Sequence, residues 1–129
     1  MSKILKIWGE RDRVLENDLC EIDLLKLKAN SACSIHKHKS KINRFILLKG
    51  NVRLKTDLGI KILVPFEAFD VFPPLTHQFI ANEDSILLEI AFVKEGKIDS
   101  DDIERFIQGG LFTKEGFKTL EELKKGMWE

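Results

Sequence analysis

Two of the three histidines in this 129-residue chain stand as His36-x-His38, just ahead of an apolar run, in SIHKHKSKINRFILLKG from Ser34 to Gly50. Side chains two apart on a β-strand share a face, so the two imidazoles are aimed together. Asn43 follows after four residues and Gly50 after six more, while His77 lies on a second apolar segment behind Pro73-Pro74. Three imidazoles on two strands can meet at one metal ion. The competing reading of His36 and His38 is a solvated basic turn, because Lys37, Lys39 and Lys41 interleave with them. That of His77 is a half-buried histidine with an ordinary hydrogen-bond partner.

The rest of the chain reads as short strands with close turn signals, the pattern of an all-β barrel or sandwich. Ile4, Leu5, Ile7 and Trp8 form a first strand ending at Gly9, and Val14-Leu15 a second small one. In Cys20 to Lys28 the apolar residues change face, from Cys20, Ile22 and Leu24 to Leu25 and Leu27, which predicts a bulge or burial on both sides. Ala29-Asn30-Ser31 is a turn whose asparagine tolerates a left-handed backbone, and Gly50-Asn51 is a two-residue hairpin loop before Val52 to Thr56. Strands follow at Ile60 to Val64, Phe69 to Phe72 and His77 to Ala81. Ser85 to Val93 is apolar on both faces apart from Glu89, as expected of a central strand. In the tail, Asp99 or Ser100 caps a helix over Asp101 to Gln108, and Thr119-x-x-Glu122 is a capping box for a second over Leu120 to Lys125. One domain is expected over 1–129, with a barrel at about 4–94 and a helical tail at about 99–129.

Composition narrows the partners. Lys and Arg number 21 and so do Asp and Glu, and the pI of about 6.8 gives no reason to expect nucleic acid or a membrane surface. No apolar segment approaches the ~18 residues of a membrane span, and the N-terminal one is too short for a signal peptide. A cytoplasmic protein acting on small molecules is expected. Cys20 and Cys33 have no C-x-x-C spacing. If Ala32 to His38 is one extended strand, Cys33 points away from His36 and is a small buried apolar residue.

The His-x-His, Asn43 and Gly50 spacing, with a further histidine after a Pro-rich turn, resembles the two motifs of the cupin family, the double-stranded β-helix or jelly-roll barrel. Asn43 stands where that family carries a glutamate. Trp8-Gly9, Pro73 to Asn82, Leu-Leu-Glu-Ile (Leu87 to Ile90) and Asp-Asp-Ile-x-Arg-Phe (Asp101 to Phe106) are similar to the C-terminal cupin domain of type II mannose-6-phosphate isomerases. The resemblance covers about residues 6 to 107. In that family the domain often follows a sugar-nucleotide pyrophosphorylase domain. It implies a metal set at His36, His38, Asn43 and His77, with Zn, Fe, Mn, Co or Ni as candidate ions. It also implies a homodimer, which would cover Ile4, Ile7 and Trp8.

The implied activity is a sugar-phosphate isomerisation, which needs an electrophile, here a metal ion, and a base that moves a proton between adjacent carbons. The chain has no tyrosine, so the base is Glu89 or one of the histidines; the other reading of Glu89 is a structural ion pair. Lys37 and Arg44, with Lys39 and Lys41, either grip a sugar phosphate or form a solvated edge that discourages sheet pairing. The alternative to the enzyme is a non-catalytic sugar-binding cupin that has lost the acidic ligand.

Overall fold

The computed structural model describes the backbone of residues 2–128 and the side chains of 3–124. The strands, in chain order, begin with β1 (Ser2–Lys6), β2 (Gly9–Glu16), β3 (Cys20–Leu27), β4 (Ser31–Ala32) and β5 (Ile35–Lys37). Then come β6 (Ile42–Lys49), β7 (Val52–Thr56), β8 (Gly59–Ile62), β9 (Ala68–Val71) and β10 (His77–Ala81). Strands β11 (Ser85–Phe92), β12 (Glu104–Ile107), β13 (Gly110–Thr113) and β14 (Gly116–Thr119) precede the single helix among the described residues, α1 (Leu120–Trp128). The all-β expectation holds.

Two antiparallel sheets face each other. The first runs β1-β2-β3-β11-β6-β9, with β11 central as its apolar faces require. In the second, β10 lies between β7 and a strand broken at Cys33-Ser34, whose halves are β4 and β5. Beyond that broken strand, β12 pairs with β5 and β13 with β4. The hairpin turns follow their residues. Asn30 is left-handed at φ 59°, and Gly50 turns at φ 101° where a Cβ would collide with Ser85.

Period two divides the interior into two ends. Leu25, Leu27, Phe45, Leu47, Leu54 and Leu87 pack an apolar end with Trp8 and Phe79, whose rings meet edge to face at 5.0 Å between centroids. Glu21 and Asp23 of β3, Asn43 of β6 and Glu89 of β11 share those inward faces at the other end, which is polar. The first sheet thus builds its own cavity lining from alternate residues.

Three expectations need correcting, and a fourth is met by one of its two alternatives. The first strand ends at Lys6, not Gly9; Gly9 opens β2, and Trp8 is buried in the core at 7% exposure, while Ile4 and Leu5 remain exposed. Strand β3 has no bulge, since its register to β11 is continuous with Glu21, Asp23, Leu25 and Leu27 all inward, but Cys20, Ile22 and Leu24 on the other face are half-buried, as the alternative expected; the irregularity falls in β2 between Arg13 and Leu15. Cys33 does not stand apart from His36, because the strand breaks beside it and both line one cavity, although it is buried as expected. The helix expected over Asp101 to Gln108 is strand β12 instead. The free edge of β5 offers backbone partners, with Glu104 opposite Lys37 and Arg105 opposite His36, and an isolated helix of two turns is marginal in water. The tail is therefore largely sheet, and only α1 is helical. It starts at the predicted capping box, where the Glu122 amide donates to Thr119 Oγ1 at 3.3 Å.

The tail also clamps the turn after β5. The Asp102 carboxylate accepts hydrogen bonds from the backbone amides of Lys39 (2.7 Å), Ser40 (2.9 Å) and Lys41 (3.1 Å), which hold it below the usual carboxylate pKa against its partial burial. Asp102→Ala removes that acceptor from three amides. Allowing for water replacing it in a half-exposed turn, a loss of about 1–2 kcal/mol is expected, read as a lower urea midpoint at unchanged slope; an unchanged midpoint would show that the clamp contributes nothing.

Candidate metal centre

Backbone pairing brings the three histidines together. His77, first residue of β10, lies directly opposite His36 of β5, and cross-strand partners project from the same face. His38 follows two residues after His36 and turns to the same side. The ring centroids stand 4.3 Å apart for His36–His77 and 5.2 Å apart for each of the other two pairs. One ligand nitrogen from each ring lies within 4.8 Å of the others. With metal–nitrogen bonds of about 2 Å, two ligands of one ion sit at most ~4 Å apart, so the rings need close by less than about 1 Å.

The neighbours set the tautomers. His36 Nδ1 donates to the Ser34 carbonyl at 2.9 Å, and His38 Nδ1 donates to the Asp102 carbonyl. Each bond leaves Nε2 as a bare acceptor, the arrangement of a metal-ligating histidine. Of these, His38 Nε2 is buried without a partner, as are both ring nitrogens of His77 and Oδ1 of Asn43. Leaving buried polar atoms unpaired costs about 1–3 kcal/mol each, and a cation among them would satisfy several at once. The residues fit a divalent metal.

Electrostatics points the same way. Burial and the neighbouring imidazoles hold His36 at a pKa of about 3 and, with His38 beside it, His77 at about 4; burial also lowers His38, against the Asp102 carbonyl bond. All three rings are neutral at pH 7, so metal would displace no proton from them.

Two more of the expected residues join the cluster. Asn43 is buried at 3% exposure, and its Nδ2 donates to Glu89 Oε2 at 3.5 Å. Glu89 borders a cavity of about 870 Å³ that His36, His38 and Asn43 also line. Burial and the Asp23 carboxylate opposite it on β3 push Glu89 up to about 7, against the pull of Lys41, Arg11 and Asn43. Glu89 has no ion-pair partner among the described residues, unlike the structural salt bridge that was its other reading.

Lys37 and Arg44, expected to grip a sugar phosphate, lie outside the cluster. Parity decides both: His36 and His38 point inward, so Lys37 points out, to Glu104 at 3.7 Å and over the Phe106 ring. Asn43 is inward, so Arg44 is exposed and holds Asp70 through two hydrogen bonds of 2.8 and 2.9 Å. Lys41, expected at the mouth, is buried and pairs with Glu21 at 3.3 Å. Sequence reading missed the polar lining supplied by the first sheet: Arg13 joins Glu21 and Asp23, and Ser100 donates to Glu21 at 2.7 Å. Carrying the parity of Leu25 and Leu27 back along β3 would have exposed it.

In the metal-free protein these shifts oppose one another. Unfolded histidines titrate near ~6.5, so between there and about 4 the unfolded chain binds protons that folded His36 and His77 refuse, and stability falls as pH falls. Glu89 keeps its proton in the fold up to about 7 but would lose it near 4.5 when unfolded, so its share of stability is lost as pH rises through the same range. Metal-free Glu89→Gln should therefore lose melting temperature more steeply from pH 6.5 to 4.5 than the parent. Equal slopes would place the Glu89 carboxyl at its ordinary pKa.

Mannose-1-phosphate guanylyltransferase of Escherichia coli K12 is 23% identical over 105 residues, which is 81% of this chain; the chain spans 22% of the length of that curated relative. A Streptomyces protein, PAC13, solved with uridine, superposes at TM-score 0.69 with 6% identity over 83% of this chain and 84% of its own. A protein with a double-stranded β-helix domain from Klebsiella pneumoniae superposes at 0.62, with 12% identity over 74% and 81%. At those identities the structures share the fold. The model of the mannose-6-phosphate isomerase C-terminal family matches residues 1–108, from the first hairpin to the end of β12, and the chain belongs to that family of cupin domains.

Proposed function

We propose that this chain is a divalent-metal cupin that acts on a sugar phosphate or related carbohydrate by aldose–ketose isomerisation. The reading rests above all on three neutral imidazoles within 4.8 Å of one another, beside a carboxyl of pKa about 7 in the same cavity. Zn, Mn, Fe, Co and Ni all suit such donors. An ion held by His36, His38 and His77, with the Asn43 amide oxygen as a fourth donor, would supply an electrophile for the sugar's carbonyl and adjacent hydroxyl.

Glu89 moves the proton. A group titrating near working pH both takes a proton from one carbon and returns it to the next, and the Asn43 amide, donating to Oε2, orients the carboxylate. The apolar floor formed by Phe45, Leu25 and Trp8 limits water at that carboxyl. Glu89→Gln keeps the shape and removes the base, so turnover of mannose 6-phosphate to the ketose should fall by about 10²–10⁴-fold while metal content is unchanged. Full activity in the variant would exclude Glu89.

A second reading, a sugar-binding cupin without catalysis, is favoured by one observation: Asn43 stands where a carboxylate ligand would add a full negative charge. Asn43→Glu should bind Zn and Mn more tightly in calorimetry and gain melting temperature when metal is added. Without metal it should be less stable than the parent, because the new carboxylate stands beside Glu89. A variant that binds metal no better than the parent removes Asn43 from the ligand set. Parent protein that binds sugar and metal without turnover would establish the binding module.

A further inference from the structure

The cavity's cations fall into two groups. Arg13 and Lys41 are neutralised by Glu16, Glu21 and Asp23. Lys6, Arg11 and Arg105 line the same cavity, yet Lys6 and Arg105 form no ion pair among the described residues. Arg11 Nε is buried without a hydrogen bond, its contact to Asp23 Oδ2 standing at 4.0 Å. Lys6 lies opposite Gly9, two residues before Arg11 and so on the same face of the hairpin, and burial with the charges of Arg11 and Arg105 lowers its pKa. The three cations come from both sheets. Lys6 and Arg11 stand on the β1-β2 hairpin, with Arg11 opposite inward-facing Leu25, and Arg105 stands on β12 opposite His36.

Lys6 and Arg105 have no internal ion pair among the described residues, Arg105 being exposed on β12, and Arg11 reaches Asp23 only at 4.0 Å, so the three leave positive charge facing the cavity. A doubly or singly charged oxyanion would balance that charge, and two of the three are arginines, whose planar forks match phosphate and carboxylate. We propose that Lys6, Arg11 and Arg105 form an oxyanion subsite that holds the phosphate or carboxylate group of the sugar whose carbon skeleton lies at the histidine cluster. This rests on the sugar-phosphate reading above and transfers the anion grip from Lys37 and Arg44, which point outward, to the inner wall. Arg105 links subsite and centre directly: it is the cross-strand neighbour of His36, and such neighbours start ~5 Å apart at Cβ. The residue expected in a helix is thus the one that joins the anion to the metal.

The test is calorimetry on the metal-loaded full chain with four probes: inorganic phosphate, mannose 6-phosphate, mannuronate and mannose. Arg105→Gln removes a cation that has no internal partner, so the fold is retained, and it should weaken phosphate and mannose 6-phosphate about ten-fold while leaving mannose unchanged. Arg105→Lys should recover part of that loss, and Lys6→Gln should give a similar loss. Lys97→Gln, on an exposed lysine paired with Asp18, should have no effect. A larger effect on mannuronate than on mannose 6-phosphate would identify a carboxylate ligand at the same subsite. Parent protein that fails to bind phosphate at millimolar concentration, or variants that bind every anion as the parent does, would overturn the subsite. Anion binding lost in Arg105→Gln with no isomerisation by the parent would keep the subsite and reject the isomerase; isomerisation with an unchanged KM in Arg105→Gln would do the reverse.

Discussion

The antiparallel pairing of β10 with β5 sets His77 opposite His36, and the rest of the polar end depends on it. A slip of one residue would turn one imidazole to the outer face. The register is secured from three directions. On its other edge β10 is paired along its whole length with β7, from His77 opposite Thr56 to Ala81 opposite Val52. Gln78 Nε2 donates to the Cys33 carbonyl at the break between β4 and β5. The tail then lays β12 against β5, and Asp102 gathers the amides of the following turn while its carbonyl orients His38. Residues far apart in sequence thus fix one ring each.

The interior is a compromise between two solvents. Its apolar end is filled by leucine, phenylalanine and tryptophan, whose burial drives folding. Its polar end holds Glu21, Asp23, Arg13 and Lys41 in mutual ion pairs. Buried charges of this kind stabilise little, because desolvation offsets most of the Coulombic gain. Their effect is local instead: burial, with the Asp23 charge opposite Glu89 added to it, keeps that carboxyl protonated to about 7, while Lys41 and Arg11 restrain the shift. The network therefore tunes Glu89, the cavity carboxyl that has no ion-pair partner among the described residues.

Asn43 gives this member of the family its particular character. With a carboxylate at that position the centre would carry negative charge beside Glu89; with an amide it is neutral and less attractive to cations. The amide does something a carboxylate cannot, since its Nδ2 donates to Glu89 while its Oδ1 stays free. In the proposed metal centre an amide at this position would hold a cation less tightly than a carboxylate, while its hydrogen bond orients Glu89.

The histidine spacing, the hairpin at Gly50-Asn51, the central β11 and the capping box of α1 were legible in the sequence, because each rests on local rules: strand parity, turn geometry and side-chain capping. So was the family, from residues spread over most of the chain. What local rules could not supply was which backbone edge stood free. The helical signal of Asp101 to Gln108 lost to the open edge of β5, and that placed Arg105 beside His36 and Asp102 under the Lys39–Lys41 turn. Parity already implied that Lys37 and Arg44 turn away from the site, but that the cavity has cations to replace them follows only from two sheets closing face to face. That Lys6, Arg11 and Arg105 line one cavity is a property of that closure, since no spacing along the chain brings residues of the first hairpin to the strand formed by its tail.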